Sequence, residues 1–481
     1  MKTVLDVAED GFCSGCGSCA FQAPSVLEMV IGSNGHYQPR LKKEAGPNPR
    51  LPSIATCPMS GFGPNETELA ERLWPDLPVD DQIGRYRATI ATHLTDTEDR
   101  LSSGSGGIVT WLAEELLSTG EVDCVIHVRP FGGDDGGAAN QVDQVALNGL
   151  GSPLFLYQVS RNRDDIRDGK KSRYYPVEMS RVLSELMTSQ DRAVIIGVPC
   201  FIKSLRGLIE AGALPADRVP FMIGLVCGHL KSIYFAEYLA WQRGVAPGEL
   251  SWCDFRHKLM DRPASSYGFA MRSRGAADDA PAQVIPMEDL RGRDWGEGLF
   301  RLPACEFCDD VLAECADVAV GDAWLPEFVG DPLGENVVVV RNARIAELIA
   351  AGQARGAVSV TEVAPAKIAQ SQASGLRHRR EGLAHRLARG QMAGKWIPRK
   401  RVAPNLAPTA ERQAIYDLRQ EIAETSNASF ARARKTGSID VFEKDMAVRR
   451  RRLKRLSYGT LMTRVLRRLR KMTQKALRLS R

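Results

Sequence analysis

The chain reads as an α/β protein with a mixed sheet, preceded by a loop-rich cysteine segment and followed by a helical, basic extension. Three observations predict this. AVIIGVPC (193–200), FMIGLVCGH (221–229) and ADVAVGDAW (316–324) are apolar runs that each end in a glycine-containing turn. Between 86 and 128 a strand-like alternation, a Gly-rich turn, a helical period and a second apolar run follow in order. Beyond about 370 the residues turn to Arg, Ala and Gln at helical spacing. Strands that alternate with helices belong in one covered sheet.

The elements follow from their residues. Segment 1–62 carries a cysteine cluster among Gly, Pro and Asn and reads as loop, and 63–83 reads as a polar connection. RYRATIATHL near 86–95 alternates as a strand does. SSGSGG then opens a helix whose Ile108, Trp111, Leu112 and Leu116 share one face, with Gly120 as its C-cap. VDCVIHV (122–128) is the next strand, and the Gly/Asp/Asn-rich residues 131–150 are a surface excursion. A helix starts near Phe201. Four regions result: 1–83, 84–190, 191–370 and 371–481. In open α/β sheets, sites form at the carboxyl ends of strands, which is where Cys200, Cys227 and Asp322 fall.

Of the 481 residues, 44% are hydrophobic and 25% charged, an ordinary soluble balance. No stretch approaches the ~20 apolar residues of a membrane helix, and the start lacks a secretory run. A cytoplasmic location is expected. The net charge of +6 comes from the end of the chain. Residues 449–481 hold 14 Lys or Arg and no Asp or Glu, leaving 50 basic against 58 acidic residues elsewhere.

Seven of the 11 cysteines stand in tight or motif-like settings, which in a cytosolic chain favours metal over disulfides. CSGCGSC places Cys13, Cys16 and Cys19 on one loop, and a distant Cys57-Pro58 completes four thiolates. That is the pattern of a 4Fe–4S cluster. A structural zinc site is the alternative, although zinc ribbons pair CxxC with CxxC. Cys305 and Cys308 form a CxxC, and Cys200 and Cys227 end two apolar strands. If those strands are neighbours, the four meet. Cys315 competes for the fourth place, and Cys200 and Cys227 as plain core thiols is the other reading. Cys124 and Cys253 sit in strand-like stretches and read as core.

CSGCGSC, the CP at 57, SGSGGIVT, GVPCFIKSLR, CGHLKS, FRHK, CEFCDD and ADVAVGDAW occur in this order over roughly 10–345. Together they resemble the family of coenzyme F-420 hydrogenase/dehydrogenase beta subunits, which includes deazaflavin-reducing hydrogenase subunits and a plant hydroxymethyl-chlorophyll reductase. The resemblance implies an FAD-binding flavoprotein body with a ferredoxin-like 4Fe–4S segment in front. It also implies a second 4Fe–4S cluster on Cys200, Cys227, Cys305 and Cys308.

For the flavin, SGSGGIVT offers the backbone of Gly106 and Gly107 and the hydroxyls of Ser105 and Thr110 at a helix N-terminus. A plain Gly-rich loop reads equally well. Arg256 and Lys258 alternate on a strand and face one side, with His257 where the family usually carries an acid. They suit a pyrophosphate or a reduced flavin's charge. Asp322 orients the flavin or caps a helix. His229 is a candidate proton donor to substrate, or a structural histidine.

The expected function is an oxidoreductase that relays electrons from a ferredoxin-like donor through the clusters to FAD, for reduction of a small organic substrate. A deazaflavin coenzyme as hydride partner is the second reading. A non-enzymatic electron carrier is the third. In the tail, Tyr458, Leu461, Met462, Val465, Leu469, Met472 and Ala476 recur at helical steps opposite a cationic face. That suits peripheral contact with an anionic membrane surface; a partner-docking or partly disordered tail is the alternative. Without an aromatic platform, nucleic acid is disfavoured.

Overall fold

The computed structural model describes residues 2–131, 153–277 and 280–458. The excursion expected at 131–150 lies almost entirely outside them. An antiparallel hairpin of β1 (Leu27–Ile31) and β2 (Tyr37–Leu41) follows the N-terminal cysteines, and a two-residue ribbon pairs β3 (Val79–Asp80) with β4 (Gly84–Arg85). Strands β5 (Ala88–Leu94), β6 (Cys124–Pro130), β7 (Phe155–Ser160), β8 (Ala193–Gly197) and β9 (Phe221–Leu225) come next. A meander of β10 (Leu250–His257), β11 (Gly268–Ser273) and β12 (Gln283–Pro286) precedes β13 (Val318–Asp322), β14 (Asn336–Val340) and β15 (Val358–Glu362).

The main sheet has eight strands in the order β15-β5-β14-β13-β9-β8-β6-β7. Its centre is parallel: β13 with β9, β9 with β8, β8 with β6. The outer pairs are antiparallel, so the sheet is mixed as expected. Alternation along β8 shows why it is central. Ala193 and Ile195 enter one apolar core beneath helices Ser180–Thr188 and Pro199–Glu210. Val194 and Ile196 enter another beneath helices Ile108–Ser118 and Ala343–Ala354. A strand covered on both faces must be apolar throughout.

Two local readings change. The connection at 63–83 contains a helix, Glu66–Leu73, held by a capping box between Asn65 and Glu68. The N-terminal segment likewise contains short helices and the β1–β2 hairpin. Elsewhere, the helix at 108 ends on Thr119, with Gly120 just beyond it at φ +73°.

The smaller sheet packs in a third core with helix Tyr234–Trp241 and two helices from the end of the chain, Ala410–Thr436 and Ile439–Tyr458. Phe430 and Phe442 insert among Tyr238 and Phe300 and are fully buried. The first part of the basic run therefore belongs to the fold. Arg449 pairs with Glu421 at 2.7 Å, Arg450 with Glu297 at 3.0 Å, and Leu453 is buried. The rest of the expected membrane-facing helix, from 459, and the side chain of Tyr458 lie outside the described residues. No described helix is long and apolar enough to cross a membrane.

Candidate functional site

Cys13 and Cys16 lie on the turn entering a short helix, Ser18–Gln22, which itself carries Cys19, and Cys57 follows the 3-10 turn Ile54–Thr56. Gly15 and Gly17 hold φ of +75° and +86°, a region that glycine enters freely. A Cβ on Gly17 would stand 2.4 Å from Glu178 Oε2. This tight coil turns the thiols toward one another: Cys16 is an electrostatic neighbour of Cys13, Cys19 and Cys57. Backbone donors face the sulfurs. Gly15 N–H donates to Cys13 Sγ at 3.3 Å, and the amides of Met59 and Ser60 bond Cys57. Burial, then Cys16, pushes Cys57 up to about 11.

The second group forms at the carboxyl edge of the parallel strands. Cys200 sits in the first turn of helix Pro199–Glu210, after β8, and Cys227 lies two residues past β9. Because β8 and β9 pair with Gly197 opposite Gly224, both cysteines leave the sheet on the same side. The turn Pro303–Phe307 carries Cys305, with Cys308 as its C-cap. Cys308, Cys227 and Cys305 all act on Cys200. Leu230 N–H donates to Cys305 Sγ at 3.2 Å. Burial and then Cys227 push Cys305 up to about 12. Cys315 stands apart, its sulfur 3.9 Å from Glu66 O, with Glu66 and Asp310 as its neighbours. Cys124 and Cys253 are fully buried in the cores.

Amide donors aimed at sulfur are the surroundings that iron–sulfur ligands require, so both groups fit such a cluster. Among the described residues no three His, Cys, Asp or Glu side chains converge as a single-ion site. The two groups adjoin each other. Cys16 and Cys200 pack in one apolar cluster, and each raises the Tyr157 hydroxyl after its own burial.

Ser105, Arg256, Lys258 and Asp322 line an open cleft. Arg256 pairs with Asp322, and its guanidinium lies 4.3 Å from the ring centre of Tyr267 and 5.2 Å from that of Trp324. Lys258 Nζ donates to the carbonyls of Ser105, Arg100 and Leu333. Burial, aided by Lys171, Arg100 and Arg256, pushes it down to about 7. Cations beside aromatic planes fit an anionic ligand with a flat ring.

Three residues expected here do not line the cavity: Gly106, Gly107 and Thr110. A Cβ on Gly106 would meet Asn336 Oδ1 and Thr92 O, each at 2.8 Å. On Gly107, at φ +92°, it would meet Leu94 at 2.7 Å. These glycines let the turn press onto β5 and β14, and Thr110 follows in the first helical turn.

His229 is also displaced from its expected role. It is buried, stacked on Trp295 with ring centres 4.5 Å apart, and absent from the cavity wall. Burial, then Lys231, holds it well below the usual histidine range. Buried and outside the cavity wall, the ring does not face a ligand held there. Its Nε2 has no partner. The ring instead belongs to a chain of contacts. Trp295 lies 4.6 Å from Tyr174, whose hydroxyl is 3.4 Å from Arg256 Nη1. The Cys227 loop is thus joined to the cavity through side chains.

Sequence reasoning missed Tyr174, Trp295, Tyr267, Trp324 and Arg379. Trp324 stands two residues beyond Asp322 and was within reach. The others come from separate segments with no local signal. Arg379, at the end of helix Ala373–Arg379, donates to Cys227 O at 3.0 Å and Gly228 O at 2.8 Å.

Comparison with known proteins adds a family. The profile for the N-terminal part of the coenzyme F420 hydrogenase/dehydrogenase beta subunit matches residues 89–184, and the profile for its C-terminal part matches 190–366, together more than half of the chain. A component of the F(420)H(2) dehydrogenase of Methanosarcina mazei is 20% identical over 244 residues, covering 50% of this chain and 59% of that relative. A chain of the F420-reducing NiFe hydrogenase complex from Methanosarcina barkeri superposes with a TM-score of 0.47 at 17% identity. That match covers 68% of this chain and 99% of the other. With both profiles matching in order across the main sheet, the chain belongs to the family of coenzyme F420 hydrogenase/dehydrogenase beta subunits.

Proposed function

We propose that this chain is an iron–sulfur flavoprotein relay with a deazaflavin coenzyme as its hydride partner. Cys13, Cys16, Cys19 and Cys57 would hold one 4Fe–4S cluster. Cys200, Cys227, Cys305 and Cys308 would hold a second, and FAD would occupy the cavity of Arg256, Lys258 and Asp322. The observation that carries the reading is the adjacency of the two thiol groups at Cys16 and Cys200. The contacts from His229 through Trp295 and Tyr174 to Arg256 continue it to the cavity.

Bound there, a flavin exchanges electron pairs with an organic partner and single electrons with clusters. The chain's own residues do the rest. Lys258 and Arg256 supply positive charge to an anionic ligand. Cys16, Cys227 and Cys305 are buried and the other five proposed ligands are part-buried, which limits water at the sulfurs. The ferredoxin reading, first on sequence grounds, now ranks second, because the curated relative is named for F420.

Anaerobic purification with iron, sulfide and flavin analysis tests this. The expected yield is about eight iron and one FAD per chain, with the flavin bleached on mixing with reduced deazaflavin. Bound FAD that does not bleach returns the ferredoxin reading to first place. Clusters without FAD point to an electron carrier, and colourless protein ends all three readings.

A further inference from the structure

Arg379 lies past residue 366, where the family match ends. It is 2% exposed. One terminal nitrogen is satisfied by the carbonyls of Cys227 and Gly228, the guanidinium also bonds the Cys227 thiol, and among the described residues Nε and Nη1 meet no oxygen or nitrogen acceptor. No carboxylate among the described residues pairs with it. The buried Glu306 is already engaged by Arg301, by Arg386 at 3.2 Å and by His378 at 3.4 Å.

A buried guanidinium without a counter-charge is strongly disfavoured. The acidic groups around it are Cys308, Cys227 and Cys305 first, and then the unpaired carboxyl of Asp310. Four thiolates around a 4Fe–4S core leave a net negative charge, which grows on reduction, and nearby charge and hydrogen bonds set the potential. We propose that Arg379 is a positioning and tuning residue for the second cluster, its charge stabilising the reduced state and raising that cluster's potential. The proposal rests on Cys200, Cys227, Cys305 and Cys308 being that cluster's ligands. The half-buried Lys400 lies near both groups, acting on Cys57 and on Cys308, whereas Arg379 acts on Cys227, Cys305 and Cys308.

Potentiometric titration of the full chain, followed by electron paramagnetic resonance, tests it. Cys305→Ser identifies the second cluster's signal by its loss. Arg379→Gln should keep full iron and move only that signal to lower potential. Arg379→Lys should leave it near the wild-type value. Full iron with both potentials unmoved in Arg379→Gln overturns the tuning role and leaves the ligand assignment intact. If Cys305→Ser loses no iron, the assignment itself falls. Should Arg379→Gln lose the second cluster, Arg379→Lys decides. Loading at the wild-type potential supports the charge account, and failure to load or a shifted potential overturns it.

Discussion

Arg256, near the end of β10, meets Asp322, the last residue of β13, with Nη1 and Nη2 at 3.0 and 3.3 Å from the two carboxylate oxygens. The pair ties the small sheet to the main sheet at the cavity. Arg256 is 4% exposed, so removing Asp322 strands a buried cation. Breaking a buried pair from one side is destabilising by 3–5 kcal/mol. The Asp322 side chain is 25% exposed, which favours the low end. Asp322→Ala should therefore lose about 3 kcal/mol in urea unfolding and purify with less flavin. Unchanged stability and flavin content would contradict the pairing.

Lys258 makes ligand affinity depend on pH. Burial first, then Lys171, Arg100 and Arg256, opposed by Asp331, bring it down to about 7. An anionic ligand favours the ammonium form, so binding takes up a proton above that value. FAD affinity should fall as pH rises from 7 to 9, and Lys258→Met should bind weakly with a flat profile. Fluorescence titration of FAD against the apoprotein reads both.

The cysteine groups make separable claims about iron. Cys13→Ser and Cys305→Ser should each lose about four iron per chain. Cys315→Ala should keep all of it, because Cys315 lies beside Glu66 rather than among the second four. Iron analysis after anaerobic purification is sufficient. Loss of a cluster in Cys315→Ala would reassign the ligands.

Phe442 sits against Tyr238, Phe300 and Phe430, with ring centres 4.8, 5.2 and 5.5 Å away. Phe442→Ala removes a fully buried ring and should lower stability by about 3–5 kcal/mol in denaturant titration. The iron of the N-terminal cluster should remain, because that segment packs in a separate core.

The sheet was legible because its central strands are buried on both faces and cannot avoid being apolar, as 193–197 and 221–225 show. The nearness of Cys13, Cys16 and Cys19, and of Cys305 and Cys308, is written into the chain by short spacings, whereas Cys200 and Cys227 come together only through the pairing of β8 with β9. The capping box of Asn65 and Glu68 was present in the sequence and went unread. The glycines of SGSGG misled for a physical reason: close approach is needed there, but to β5 and β14 rather than to a ligand. Arg379 was illegible, since an arginine in an Arg-rich stretch resembles a solvated one until tertiary packing buries it. Tyr174 and Trp295 likewise meet only after segments from opposite ends of the middle region have folded.

The late position of Phe430 and Phe442 has a consequence for biosynthesis. Tyr238 and Phe300 must wait for partners that leave the ribosome much later, Phe442 roughly 200 residues after Tyr238. At ≈5–20 residues per second that delay is ~10–40 s. Through that interval the nascent chain carries an uncovered aromatic surface, which makes translation speed and chaperone capture determinants of yield.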